Sequence, residues 1–204
     1  MGLYSDWIFP RLMDRILRRQ EVSDVRKRIL RDAVEPVLEL GFGTGLNLSC
    51  YPDGVGKITA VDLRPPHLAF VRDRIARAKV GVELQPGDAG KLPMASGSIA
   101  TVVTTWLLCS VTHPDSVLAE IRRVLRLDGR YLFIEHGLSP DPRQRRLQQL
   151  LTPITRICGC GCTLTRPIPA LIASAGLDIC TLEELDLSAL GRASGHLFLG
   201  VARP

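Results

Sequence analysis

The feature that most constrains this chain begins at residue 36, where short β-like runs start to alternate with amphipathic helical stretches. PVLELG (36–41) reads as a buried strand and KITAVD (57–62) as a second. In PHLAFVRDRIARA, Leu68, Val71 and Ile75 share one helical face. VELQPGD supplies a third strand, IATVVTTW a fourth, and DSVLAEIRRVL the next helix, closed by a turn at Asp128-Gly129. RYLFIEH is a fifth strand, PALIASAG a helix stopped at Gly176, LDICTLEEL a sixth strand and GHLFLGVAR a seventh. Strands joined through helices run parallel, because the crossover returns the chain to the same end of the sheet. Only the last two strands lack a helix between them, so the last strand is expected to run antiparallel. The pattern predicts an α/β fold, a doubly wound, mostly parallel sheet of seven strands with helices on both faces.

A chain of 204 residues suffices for one such domain, and no repeat or linker divides it. Residues 1–35 form a helical segment ahead of the 36–204 core. Its apolar positions Leu12, Ile16, Val22, Val25 and Ile29 have helical spacing, with a break expected around Glu21 to Ser23. This segment is expected to act as a lid, and residues 137–168 as a loop and helix inserted on the substrate side. A net charge of +5 with only 5% aromatics, and arginines scattered over several helices, argues against a nucleic-acid groove. Asp6, Arg11, Asp14 and Arg15 interrupt any signal-peptide core near the start. The longest apolar stretch, IATVVTTWLLCSV, is too short to span a bilayer. A cytoplasmic protein, monomeric or weakly dimeric and without an integral membrane segment, is the expectation. Its six cysteines would then be reduced thiols.

The first strand runs into ELGFGTG, residues 39–45. Glycines at 41, 43 and 45 permit a tight turn and a close ligand approach, and Asp62 ends the second strand where ribose hydroxyls need an acceptor. The spacing is GxGxG rather than the GxGxxG of dinucleotide sites, and Glu39 precedes it. This resembles the first motif, E/D-x-G-x-G-x-G, of the class I S-adenosylmethionine-dependent methyltransferases. GDAGKLPMASGSIATVV and RRVLRLDGRYLFIEH resemble two further segments of that family, with departures at Ile99-Ala100 and Leu127-Asp128 that bear on turn geometry. The resemblance implies a Rossmann-like fold and S-adenosylmethionine as cofactor. It would be bound at Glu39, Gly41, Gly43, Gly45, Asp62, Leu63, Asp88, Ala89 and Trp106.

In such sheets ligands gather outside the carboxyl ends of the strands. The acceptor candidates are therefore Trp106 to Cys109, His136, the N-terminal Tyr4-Ser5-Asp6-Trp7, and CGCGCTLTR (158–166). TTWLLCSV lacks the Asn/Asp-Pro-Pro-Tyr with which nucleobase and glutamine nitrogens are methylated. Three stretches resemble the alkyl-thiol S-methyltransferases and their bacterial relatives: WLLCSV (106–111) is similar to LVLCSV, Glu135-His136 matches EH, and GCTLTR (161–166) is similar to GCxLTR. The resemblance implies S-methylation of a small organic thiol. His136, His196 or Arg166 would serve as the cation or base that such an acceptor needs, with His136 and Arg166 the catalytic candidates. The resemblance bears on Cys109, Cys162 and His196 as substrate contacts, and the position above the strand ends adds Tyr4, Asp6 and Trp7. A thiol with a pKa of about 8.5 needs only a nearby cation or modest base. Packing alone would account for Trp7 and Trp106, of which only Trp106 has the strand-end position that favours substrate contact, and His113 ahead of Pro114 reads as structural.

Two alternatives stay open. Carbon or nitrogen methylation of a quinone or lipid amine would use the same cofactor loop, with an apolar entrance from Trp7, Ile8, Phe9 and Leu12. An extended CGCGC would project Cys158, Cys160 and Cys162 on one face, as metalloid methylation or a metal-binding module would require. The spacing lacks the second cysteine pair of a structural zinc site, so no metal is expected.

Overall fold

A computed structural model describes residues 2–64 and 67–204. The chain opens with a turn of π-helix, Tyr4–Ile8, that continues into α1 (Phe9–Leu17), followed by α2 (Gln20–Leu30). The core then runs β1 (Val37–Leu40), β2 (Lys57–Asp62), α3 (Ala69–Arg77), β3 (Gly81–Pro86), β4 (Ile99–Thr105) and α4 (Pro114–Val124). It ends with β5 (Leu125–His136), α5 (Pro142–Cys158), α6 (Ile168–Ser174), β6 (Asp178–Asp186), α7 (Gly191–Ser194) and β7 (His196–Arg203).

The seven strands lie in the order β3-β2-β1-β4-β5-β7-β6. The first five are parallel, and β7 runs antiparallel to both β5 and β6. This is the expected Rossmann-like sheet. β1 pairs with β2 on one side and β4 on the other, so the winding reverses there and leaves a crevice above the strand ends.

Each face of the sheet is sealed by its own core. On one, Val22, Val25, Ile29 and Leu30 of α2 meet Leu132, Ile134, Leu197 and Leu199. On the other, Leu118 and Ile121 of α4 and Ile168 and Ile172 of α6 meet Leu38, Leu40, Tyr131 and Phe133. Period-two alternation along β5 and β7 divides these residues between the faces. After Leu40 the chain turns at Gly41, whose φ of +74° is one that residues with a side chain rarely adopt.

The structure corrects four expectations. The N-terminal helix breaks at Arg18 and Arg19, not at Glu21 to Ser23: Arg19 is extended and caps α2, which frees Val22 and Val25 to enter the core. α1 buries only Asp14, paired with Arg74 at 2.6 Å, and leaves Leu12 exposed. Asp128-Gly129 does not close α4, because β5 starts directly at Leu125. The pairing with β4 slips from Ile99↔Leu125 to Thr101↔Arg130, so Asp128-Gly129 lies in an irregularity of the strand pair. Between β6 and β7 lie a single 3-10 turn, Ser188–Leu190, and α7.

Candidate functional site

The crevice has two halves. The first is built on the loop after β1. Gly41, Gly43 and Gly45 all have positive φ, +74°, +56° and +73°. A Cβ on Gly41 would stand 2.9 Å from Leu107 Cδ1, so this glycine lets the loop abut the β4 exit. A Cβ on Gly43 would meet nothing closer than 3.9 Å, leaving backbone open to a ligand. Asp62 faces this loop: its Oδ2 accepts from Gly43 N at 2.9 Å and its Oδ1 from Arg64 N at 2.8 Å. Burial raises the Asp62 pKa against these two backbone donors. Leu63 beside it is exposed, as is Asp88, whose Oδ1 accepts from Gly90 N at 2.8 Å. Ala89 packs against the second core. These groups form a rim that a nucleoside fits: open backbone, a carboxylate and an exposed apolar side chain.

Glu39 is not on that rim. It is 1% exposed, and its two oxygens accept from Asn47 Nδ2 (2.9 Å) and Tyr51 Oη (2.7 Å). Burial pushes its pKa up to about 7. Asn47 in turn accepts at Oδ1 from Arg26 Nη1 (2.8 Å), and the Arg26 guanidinium lies 4.6 Å over the Trp106 ring. Glu39 therefore braces the glycine loop from beneath, through a buried network that the sequence reading missed. One signal was present: Arg26 sits on the apolar face of its helix, between Val25 and Ile29, where a charge must find partners.

The second half lies at the ends of β4 and β5. Trp106, at φ +56°, turns the chain sharply after β4. Its Nε1 donates to His136 Nε2 at 3.1 Å. The other ring nitrogen, Nδ1, faces Cys162 Sγ at 3.5 Å and Cys109 Sγ at 3.7 Å, and the two sulfurs are 3.9 Å apart. Neighbouring Cys162 and burial hold the Cys109 thiol well above its ordinary pKa. Glu135, noted in the sequence only as part of the EH pair, shapes this loop: it is fully buried and accepts from Leu107 N (3.0 Å), Cys109 N (3.1 Å) and Thr104 Oγ1 (2.9 Å). Its position inside the apolar run LFIEH was the available signal.

Arg166 donates through Nη1 and Nη2 to the carbonyls of Leu108 and Val111. It clamps the loop that carries Cys109 through these two bonds. His196 is brought to neither half. It is buried at 3% exposure on the sheet face of Phe198, opposite His136, with Nδ1 3.2 Å from Asp186. Strand alternation decides this, since His136 shares its face with Ile134.

The three clustered cysteines also separate. Cys158 ends α5 and is exposed, Cys160 at φ +50° and Gly161 at φ +101° form a turn, and only Cys162 points inward. The segment is not extended, so the one-face arrangement of Cys158, Cys160 and Cys162 does not arise.

The N-terminal residues lie across the site. Tyr4 Oη donates to Cys158 O at 2.6 Å, Asp6 pairs with Arg64 at 3.1 Å, and Trp7 stacks edge-on to His67 at 4.9 Å. One short segment thus touches the loop after β2 and the end of α5.

Residues 38–133 match the family described as a methyltransferase domain. The chain is 35% identical over 176 residues to the thiol S-methyltransferase TMT1B of Rattus norvegicus, covering 78% of this chain and 70% of that protein. Against TMT1A of Homo sapiens it is 31% identical over 184 residues, covering 81% and 75%. Against human TMT1B it is 38% identical over 135 residues, 64% of this chain, and spans 54% of that relative's length. Among solved structures, a geranyl diphosphate methyltransferase in complex with S-adenosylmethionine superposes with a TM-score of 0.67 at 16% identity, over 95% of this chain and 88% of that one. The glycine loop, the Asp62 rim and these relatives agree: the chain belongs to the class I S-adenosylmethionine-dependent methyltransferases, and S-adenosylmethionine is its cofactor.

Proposed function

We propose that this methyltransferase transfers its methyl group to the sulfur of a small organic thiol. The observation that carries the reading is the sulfur-and-imidazole patch of Cys109, His136 and Cys162. It stands beside the glycine loop, which touches the same β4 exit through Leu107. Bound S-adenosylmethionine supplies an electrophilic methyl on a sulfonium sulfur. The protein has to align the acceptor in line with it and favour the acceptor's anion. A thiol already forms a few per cent thiolate near neutrality, so a patch that accommodates sulfur against an imidazole suffices. The identity with the named thiol S-methyltransferases supports this acceptor.

Within this reading Asp62 and the three glycines hold the nucleoside, with Leu63, Asp88 and Ala89 around the base. Trp106, Cys109, His136 and Cys162 face the acceptor. Tyr4, Asp6 and Trp7 close over it as a lid, anchored to Cys158 on one side and Arg64 on the other. Six unpaired thiols suit a reducing cytoplasm.

A second reading has one observation in its favour. Leu3, Trp7, Ile8 and Leu12 of the lid, with Leu150, Ile154 and Ile157 of α5, are exposed apolar side chains, as a quinone or lipid-amine acceptor would require. Incubation with methyl-labelled cofactor and a panel of thiols, quinols, phenols and amines separates the two. Turnover is expected on thiols. Labelled quinol or amine products with no labelled thioether would overturn the thiol reading.

A further inference from the structure

We propose that Cys109, His136 and Cys162 form a zinc site whose open fourth position takes the acceptor thiol. This deepens the thiol reading and rests on it.

Distances carry the proposal first. The three atoms form a triangle with edges of 3.9 Å (Sγ–Sγ), 3.7 Å and 3.5 Å (Sγ–Nδ1). Tetrahedral zinc, with Zn–S of about 2.3 Å and Zn–N of about 2.0–2.1 Å, separates its ligands by about 3.8 Å for two sulfurs and about 3.5 Å for sulfur and nitrogen. All three edges match to within a few tenths of an ångström. One such contact would be ordinary packing. Three at once, from the exits of two strands and a loop, describe a coordination face. These are also the only three residues that could hold a metal ion together among the described residues.

Rigidity is the second support. The Cys109 amide is held by Glu135 at 3.1 Å, and its carbonyl accepts from Thr163 N at 2.8 Å, so the backbones carrying the two sulfurs are tied together. Arg166 clamps the carbonyls of Leu108 and Val111 on either side. The backbones of the two cysteines are thus placed before any ion arrives, whereas His136 has still to give up its bond from Trp106. Three protein ligands of type Cys2His are the composition of a catalytic zinc, which keeps one position free. Cys109 is buried while His136 and Cys162 are half-buried, so the free position faces the accessible side.

Trp106 makes the proposal readable. Its Nε1–H donates to His136 Nε2, which puts the proton of the neutral ring on Nδ1. Loading a metal on Nδ1 moves that proton to Nε2, and the two N–H groups then face each other. The metal-bound form therefore releases Trp106 from His136.

Zinc loading displaces the thiol protons of both cysteines to solvent. The acceptor binds as its thiolate, losing its proton likewise. Its sulfur forms a bond to the methyl carbon as the sulfonium–methyl bond breaks, and that electron pair remains on the departing sulfur. The product is a neutral thioether, a weaker ligand, which leaves.

The test uses the full chain, stripped with a chelator and reloaded with zinc or cobalt(II). About one zinc per chain is expected by elemental analysis, together with a thiolate-to-cobalt charge-transfer band. Cys162→Ser and His136→Ala, each checked for folding by circular dichroism, should weaken zinc binding about tenfold or more, whereas Cys158→Ser and Cys160→Ser should retain the stoichiometry. Tryptophan emission should change on loading in the parent chain and not in Trp106→Phe. Ethanethiol should shift the cobalt d–d bands. A chain that binds zinc no more tightly than Cys162→Ser overturns the proposal. So does full turnover on thiols by the stripped chain, an outcome that leaves the thiol reading intact. Stoichiometric zinc with no turnover on any thiol instead overturns the acceptor reading, and with it the role of the fourth position.

Discussion

The two halves of the crevice are made of different materials. Around the loop after β1 the protein presents mostly backbone: three glycines at positive φ and a carboxylate, Asp62, held by two backbone amides. At the ends of β4 and β5 it presents side chains drawn from distant parts of the chain, Cys109 and Cys162 being 53 residues apart. A backbone cradle depends on a local turn, and one fold can use it for many acceptors. A side-chain cluster depends on packing, and there specificity can change without disturbing the cradle.

The strongest test of this division is His136→Ala. Turnover on a thiol should fall about 10²-fold or more, while calorimetric affinity for S-adenosylhomocysteine stays at the parent value. Loss of both together would mean the halves are one unit. Glu135→Ala comes next. Removing a buried carboxylate that serves three donors should cost about 3 kcal/mol in urea unfolding, since Leu107 N, Cys109 N and Thr104 Oγ1 lose their acceptor. A loss under about 1 kcal/mol would show that water replaces it.

A pH experiment sharpens the comparison on the cofactor side. The Glu39 pKa, about 7 in the folded chain, lies above the ordinary carboxylate range near 4.3 of the unfolded chain. Between these values the folded state binds more protons, so this group's contribution is fully present below the unfolded pKa and is lost as pH rises towards 7. Glu39→Gln should flatten that decline, with a change in slope worth on the order of 2 kcal/mol between pH 5 and 7. Parallel stability profiles for the two chains would contradict the burial argument. The smallest effect is expected of Asp62→Ala, which should weaken S-adenosylhomocysteine about tenfold and leave the fold intact by circular dichroism. Unchanged affinity would remove Asp62 from the ribose.

Where sequence reading succeeded and failed follows the same line. The strands from PVLELG to GHLFLGVAR were legible because burial repeats with the backbone's own periods. The alternation of strand and helix then left few topologies, and β7 ran antiparallel as the missing long crossover implied. Local geometry was less legible where packing overrode propensity. Asp128-Gly129 has the chemistry of a helix-ending turn, yet it sits in the irregular pairing of β4 with β5. The CGCGC stretch offered three equivalent thiols, and its turn at Cys160 and Gly161 selected one. His196 stands two residues from Phe198 on the face away from His136, which no local signal could reveal without the register of β7.

Sequence alone determined the seven-stranded sheet, the glycine loop and the carboxylate at the end of β2, because each follows from spacing within a few residues. Tertiary structure decided that Glu39 braces the loop and does not line it, that Arg166 clamps carbonyls, and that Cys109, His136 and Cys162 meet. Those outcomes depend on which side chains lose water together. Pairing across the sheet and burial of charge settle that, and neither acts until the whole chain has closed.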